Sequence, residues 1–448
     1  MASAAEQLAS NLNWGAIGKA TELKKRLWFT VGALVVFRIG AYIPVPGVDP
    51  HALAEIFAQN AGGIAGLLDV FSGGSIGRMS VLALSIMPYI SASIIMQILT
   101  TVVPSLEALK KEGEAGRKKI NQYTRYGTVV LAAFQAYGIA VGLESQVASM
   151  GPVVPDPGLF FRFVTVVTLI GGTLFLMWLG EQITARGVGN GVSLIIFAGI
   201  VAALPGALIQ TLELGRTGAL SALFIIALVV GVVFVVALVV FVETAQRRII
   251  VQYPKRQVGN RMYGGEASHL PLKINTSGVI PPIFASSLLL FPATIASFQG
   301  NAGEPGWIQW ISTYLGHGQP LYLLAYIALI VFFCFFYTTV VFNPNDTADN
   351  LKKNGGFVPG IRPGKNTAEY LEYILNRLTV IGAIYLSAVC ILPEILIARG
   401  GVPFYFGGTS LLIVVSVTLD TVTQVQAHLL AHQYEGLIKK ARLRGRSR

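Results

Sequence analysis

"DVFSGGSIGRMSVLALSIMPYISAS", residues 69–93, sets a glycine-rich piece too short to cross a bilayer directly against a long apolar segment that carries Pro88 and a row of hydroxyls. A short helix on glycine hinges followed by a proline-interrupted span is the pattern of a chain that dips into a membrane, turns back and then crosses it. The rest of the sequence agrees on the solvent: 53% of the residues are hydrophobic and 12% charged, with a mean hydropathy of +0.64. These values lie far outside the range of soluble domains and point to an all-α polytopic membrane protein.

The 448 residues suffice for about ten spans of ~20 residues with short connections, which leaves little for a soluble domain. Spans are expected at 27–43, 80–103, 126–143, 159–180 and 192–212, then at 219–242, 278–298, 321–342, 378–397 and 409–424. The last is expected to continue as a helix into the polar tail. Residues 1–26 are polar, and the run 27–43 has no small-residue cleavage site after it, so it is expected to be kept as a span. Cys334 and Cys390 both fall in apolar runs and read as small hydrophobes, so no disulfide framework is implied.

Lysine and arginine set the orientation, because cytoplasmic loops carry their excess. They crowd the N-terminal segment, the 104–125, 243–277 and 343–377 loops and the tail; the opposite loops hold only Arg78, Arg216 and Arg399. Both termini are therefore expected in the cytoplasm. The net charge of +11 is explained by this orientation, with basic loops as docking sites the sharper alternative. In the 243–277 loop, "RRIIVQY" alternates like a strand, and Arg247, Arg248, Lys255, Arg256 and Arg261 could face phosphates or acidic protein. In the 343–377 loop, Arg362 stands between glycine and proline turns that would hold it on a stiff tip, as a contact point or as a solvated charge.

An odd number of spans in each half reverses direction between halves, which is the topology of an inverted repeat. The chain divides on this reading into an amphipathic cytoplasmic segment 1–26, a first half 27–212, a second half 213–426 and a basic tail 427–448. A trace of the repeat survives as P-x-I-x-A-S, at Pro88 to Ser93 in the second span and Pro281 to Ser286 in the seventh. Paired proline-bearing spans at corresponding positions mark a functional centre between the halves.

Catalysis finds no footing. The chain has no G-x-x-x-x-G-K-[ST] loop, so nucleotide-driven work would need a partner. His428 and His432 stand four apart, but "HLLAH" lacks the glutamate of a metalloprotease helix, and they read as helix-surface histidines. An ion-coupled small-solute carrier is the competing class. Carriers keep charged residues inside their spans because each is costly there; the candidates are few. Arg38 reads as a snorkelling side chain, Glu181 and Arg186 lie at a boundary, and only Asp420 looks deep. The central spans instead hold branched aliphatics: Ile86, Ile90, Ile196, Ile283 and Ile413. Such residues are ordinary lipid-facing or core residues, or, if ringed at the centre, a dry constriction that blocks ions by dewetting and selects no solute. The glycine-hinged piece at 62–77 either lies at the interface or folds back into the mouth of such a pore.

Five stretches carry a family resemblance: "SIMPYISAS" (85–93), "GVGNGVSLIIFAGIVAALP" (187–205), "GVIPPIFASSLLLFP" (278–292), "NGGFVPGIRPGKNTAEYL" (354–371) and "GGTSLLIVVSV" (407–417). They closely resemble the SecY/Sec61-alpha family, the channel-forming subunits of the Sec protein translocase, in order and over nearly the whole chain. The resemblance implies a ten-helix clamshell of two inverted five-helix halves in the bacterial cytoplasmic membrane. It would pass unfolded secretory polypeptides across and release transmembrane segments sideways into the lipid.

Carried onto this sequence, the pore ring would be Ile86, Ile90, Val192, Ile196, Ile283 and Ile413. Val192 stands where some relatives have isoleucine. The plug would be 62–74, with Gly63, Leu67, Leu68, Phe71, Gly73 and Gly74. A lateral gate would open between the second and third spans on one side and the seventh and eighth on the other, with Ser85, Gln135, Asn275 and Ser287 as polar contacts. Arg362 matches the loop-tip arginine that engages the SecA motor or the ribosome. SecE and SecG are the implied partner subunits, with signal sequences, secretory polypeptides and membrane lipids as the other contacts. No cofactor is called for.

Overall fold

The structure is a computed structural model that describes residues 20–59, 69, 72–144, 146–148, 151–217, 221–253, 256–258, 261–263, 267–298, 319–400 and 408–445. In the first half, α1 (Thr21–Gly40) and the short α2 (Pro50–Gln59) precede α3 (Met87–Val102), α4 (Pro104–Lys111), α5 (Glu114–Glu144), α6 (Leu159–Arg186) and α7 (Gly191–Arg216). The second half holds α8 (Ala222–Thr244), α9 (Ile280–Phe298), α10 (Pro320–Val341), α11 (Pro344–Lys353), α12 (Lys365–Gly400) and α13 (Gly408–Gly445). Each expected span falls on one of these helices, and α13 does run from the last span into the tail. Among the described residues, 7 helices are long and apolar enough to cross a membrane, or 8 if the bent pair α3–α4 counts as one. The chain is a multi-pass membrane protein.

The packing separates two groups of helices. α5 packs on α6 and α3, and α6 on α7 and α1; in the second half α10 packs on α9 and α12, and α13 on α12 and α8. The groups meet along two main seams, α7 against α13 and the α3–α5 pair against α9. Small residues permit the close approach that lipid-embedded helices need: Ala132, Ala136 and Ala140 form a fully buried stripe on α5. Ion pairs fasten the α5–α6 hairpin near both ends, Arg125 to Glu181 (2.7 Å) and Arg162 to Glu144 (2.6 Å). By contrast α8 is apolar all round, and among its described residues only Val239 is fully buried, with one face half-buried and the other exposed, as expected of a helix that borders lipid.

The second span departs from expectation. The helix starts at Met87, and residues 73–86 form a run of turns with one bridge, so the proline does not interrupt a span that begins at 80. Pro88 sits in the first turn of α3, where its missing N–H is one of the helix's unbonded donors anyway and its fixed φ suits the start. The turn run is held from outside. The Val81 N–H donates to the Ile43 carbonyl (2.8 Å), the Val45 N–H to the Met79 carbonyl (2.9 Å), and Gly172 of α6 leaves room for the Val81 carbonyl. The first span likewise ends early, at Gly40, because residues 43–45 join this bridge. At the other end α3 stops at Val103, and the amphipathic α4 turns away by 97°.

The two halves use the same device. Pro88 and Pro281 are each the second residue of their helices, and Ile90 and Ile283 each the fourth. Two residues before each helix the backbone is left-handed, at Ser85 (φ 52°) and Gly278 (φ 64°). Glycine adopts that region freely, whereas at Ser85 it is strained and must be held by the surroundings.

After α5, β1 (Val147–Ala148) pairs antiparallel with β2 (Gly151–Pro152). On the side expected to face the cytoplasm, β3 (Gln246–Gln252) pairs antiparallel with β6 (Ala267–Lys273), and β4 (Arg256–Val258) with β5 (Arg261–Tyr263) nearer the tip. The strand pattern of "RRIIVQY" is realised with Ile249 and Val251 buried. Gln252 and Phe357 exchange both backbone hydrogen bonds (2.9 and 3.0 Å), and Ile249, Leu272, Val358, Leu371 and Ile374 share one apolar cluster. The 243–277 and 343–377 loops are therefore one folded body.

Candidate functional site

The largest apolar cluster crosses the seams. Ile86, Ile90, Ile196 and Ile413 are buried members, and Val192 and Ile283 pack against it half-buried. All six expected ring positions thus belong to or pack against this one cluster, contributed by α7, α9, α13, α3 and the turn before it. Branched aliphatics in this place leave water no polar partner.

Val192 and Ile196 owe their position to the turn before α7. Asn190 caps that helix, its Oδ1 accepting from the Val192 N–H (3.1 Å) and the Ser193 N–H (3.4 Å). The Val188 N–H donates to Thr30 Oγ1 of α1 (3.0 Å), and the Gly189 N–H to Gln424 Oε1 of α13 (2.9 Å). The turn is thereby tied to the last helix across the seam. Replacing Asn190 with alanine is expected to cost about 1 kcal/mol, read as a lowered thermal unfolding midpoint in detergent.

The expected gate residues divide. Ser287 on α9 donates to the Ile283 carbonyl (2.8 Å) and reaches Met87 Sδ of α3 (3.9 Å), so it lies on the seam. Ser85 is buried in the left-handed turn before α3, and Gln135 is half-buried on α5. Asn275, just before α9, bonds within its own half: its Nδ2 donates to Glu243 Oε1 of α8 (2.7 Å) and to the Gly278 carbonyl (3.0 Å), and its Oδ1 accepts from Ser277 (3.0 Å). These partners all belong to the second half.

Of the expected plug residues, Gly63, Leu67, Leu68 and Phe71 lie outside the described residues. Gly73 and Gly74 are left-handed, at φ 69° and 81°. Asp69 organises the turn that ends the segment: its Oδ1 accepts from the Gly77 N–H (2.7 Å) and its carbonyl from the Gly74 N–H (2.8 Å). Burial raises its carboxyl above the ordinary aspartate value, against the pull of the Gly77 bond and of Arg78. Arg38 does not snorkel freely. It donates to the Gly73 carbonyl (2.6 Å), as does Arg78 (3.1 Å). Neither Arg38 nor Arg78 stands out as a plug contact in the sequence, since nothing local pairs them with a glycine carbonyl.

Arg247, Arg248 and Arg362 are exposed on the folded loop body. Arg362 lies between left-handed Gly360 and Gly364 (φ 83° and 107°), with its carbonyl accepting from Thr367 Oγ1 (3.0 Å). Arg256 is on β4, described by its backbone, and Lys255 lies outside the described residues. Asp420 lies within the apolar stretch of α13, with its side chain on the helix surface.

Apolar helices in two groups, meeting over a dry aliphatic cluster with a basic body on one side, define a membrane channel architecture. Known proteins agree with it. A family profile described as SecY matches residues 80–422. The protein translocase subunit SecY of Rickettsia conorii is 57% identical over 423 residues, covering 94% of this chain and 97% of the relative. That of Escherichia coli K12 is 56% identical over 431 residues, covering 96% and 97%. This chain belongs to the SecY family.

The fold is that of solved channels. A protein-conducting channel superposes with a TM-score of 0.67 at 20% identity, over 91% of this chain and 92% of that one. A SecY protein whose plug domain is described as stabilising the closed state and maintaining a membrane seal gives 0.65 at 19%, with the same coverage. Sec61 from a canine ribosome–channel complex gives 0.63 at 19%, again over 91% and 92%.

Proposed function

We propose that the protein is the channel-forming subunit of a bacterial protein translocase. It conducts unfolded secretory polypeptides across the cytoplasmic membrane and releases apolar segments sideways between α3 and α9 into lipid. The observation that carries this reading is the meeting of Ile86, Ile90, Val192, Ile196, Ile283 and Ile413 in one apolar cluster contributed by both halves. A dry ring suits a passenger of variable chemistry, because it seals without recognising. On this reading ten helices cross the membrane with both termini in the cytoplasm, and the 62–74 segment closes the pore from the far side. The exposed arginines receive SecA or the ribosome, SecE and SecG complete the complex, and no catalysis is involved. The carrier alternative is not favoured, since the relatives are protein translocase subunits and the matching structures are protein-conducting channels.

The test is a disulfide crosslink from a cysteine at Ile283, in a chain without Cys334 and Cys390, to a secretory polypeptide trapped in mid-passage. Crosslinks are expected from Ile283, Ile90 and Ile413 and none from Val233 on the exposed face of α8. Crosslinks from none of the ring positions, while precursor accumulates in cells lacking the protein, would place the path elsewhere.

A further inference from the structure

We propose that Glu243, in the last turn of α8, is the acceptor of a two-position switch: the Asn275 amide holds it in the state seen here, and the Tyr385 hydroxyl takes it over when α9 swings away from α3. The proposal rests on the channel reading above and names a side-chain exchange by which its sideways opening is balanced. Asn275 is fully buried, and its Nδ2 donates both to Glu243 Oε1 (2.7 Å) and to the Gly278 carbonyl (3.0 Å). One amide therefore ties the start of α9 to the end of α8. The rung beside it is the Ile274 N–H on the Ala245 carbonyl (3.1 Å), which continues the β3–β6 ladder past its last pair, Gln246 with Lys273. The joint beyond it is Gly278, left-handed at φ 64°, with nothing within 4 Å of where a Cβ would stand. α9, with Ile283 and Ser287, can turn about that joint while the hairpin stays fixed, and the turn draws the Gly278 carbonyl off the Asn275 amide.

The second donor is already in place. Tyr385 on α12 is 9% exposed, and among the described residues its hydroxyl has no hydrogen-bond partner. A buried hydroxyl left unpaired is costly and rare, and a second state in which it is paired accounts for it. Tyr385 lies within the field of the Glu243 carboxylate. Three residues earlier on the same face of α12, Gly382 packs against the Asn275 turn: a Cβ there would lie 3.3 Å from the Ile274 carbonyl oxygen and 3.7 Å from Asn275 Oδ1. Helical side chains lean back over the preceding turn, which carries the Tyr385 ring toward this same spot. Either donor makes a charge-assisted bond to the one carboxylate, so exchanging them leaves the two states close in free energy and breaks no helix ladder.

The experiment uses the full-length protein in its native membrane, with Ser287→Cys as a probe of the seam between α3 and α9, Cys334 replaced by serine and Cys390 by alanine. The readouts are the rate at which N-ethylmaleimide labels the probe, transport of a secretory precursor, and the thermal unfolding midpoint. Tyr385→Phe keeps the ring and removes only the hydroxyl. It is expected to slow labelling and transport about tenfold, the equivalent of about 1.4 kcal/mol, with the midpoint unchanged or raised. Asn275→Ala shifts the balance the other way and speeds labelling about tenfold, and the double variant returns it toward wild type. Glu243→Gln weakens both bonds alike and changes labelling less than either. Labelling and transport unchanged in Tyr385→Phe would overturn the switch alone, as would a Tyr385→Phe effect that persists in full beside Glu243→Ala, or a midpoint lowered by Tyr385→Phe, which would mean the hydroxyl is bonded in the present state. Absence of transport by the wild-type chain would overturn the channel reading beneath it.

Discussion

Arg362→Glu is expected to reduce transport of a secretory precursor into inverted membrane vesicles by about a hundredfold, with the protein's abundance unchanged. The side chain is exposed on a tip stiffened by Gly360 and Gly364, so reversing its charge disturbs no packing. On the proposed docking role it disturbs the landing of an acidic partner surface: a like-charge contact there costs several kcal/mol, and about 2.7 kcal/mol is already a hundredfold. Because Gln252 and Phe357 join the two loops into one body, Arg247 and Arg248 present their charge on the same platform. Arg247→Glu and Arg248→Glu should therefore weaken the same step, each by less, since they lie on a strand rather than a projecting tip. Asp420→Asn should leave transport nearly intact. A carrier would show the reverse pattern, so the four variants together discriminate the two function classes.

The second large effect concerns the seal. The double substitution Ile283→Asn and Ile413→Asn is expected to raise resting ion conductance about a hundredfold in reconstituted membranes, through the loss of a few kcal/mol of dewetting penalty. Both side chains belong to the cluster where the halves meet, and an amide gives water a partner where none existed. Replacing the same positions with leucine keeps volume and apolarity and should keep the seal. If the asparagine pair leaked no more than the leucine pair, these residues would be packing and nothing else.

Much of the molecule was legible in the sequence because its determinants are local. Composition names the solvent, run length names the spans, and the loop arginines name an orientation. The strand at "RRIIVQY" followed from alternation over a few residues, and β3 formed where that alternation lies. The motif P-x-I-x-A-S also carried more than its letters. It marks the same helical register in both halves, preceded by the same left-handed backbone at Ser85 and Gly278. Proline's meaning was misread for a local reason too: the same residue that breaks a helix interior is favoured in its first turn, and only the start of α3 tells which applies.

By itself the sequence determined that this protein lives in a membrane, roughly where it crosses, and which aliphatic residues could line a dry centre, because each of these is a sum over neighbours in the chain. The tertiary structure alone decided that residues 80–86 are turns pinned to residues 43–45 and to α6, and that Asn275 serves the second half. It also decided that two loops about a hundred residues apart make one folded body, and that two arginines meet on the Gly73 carbonyl. The physical reason is common to all four: a polar group with no sufficient partner in its own segment must find one elsewhere in the fold, and which one it finds depends on packing that no local pattern encodes.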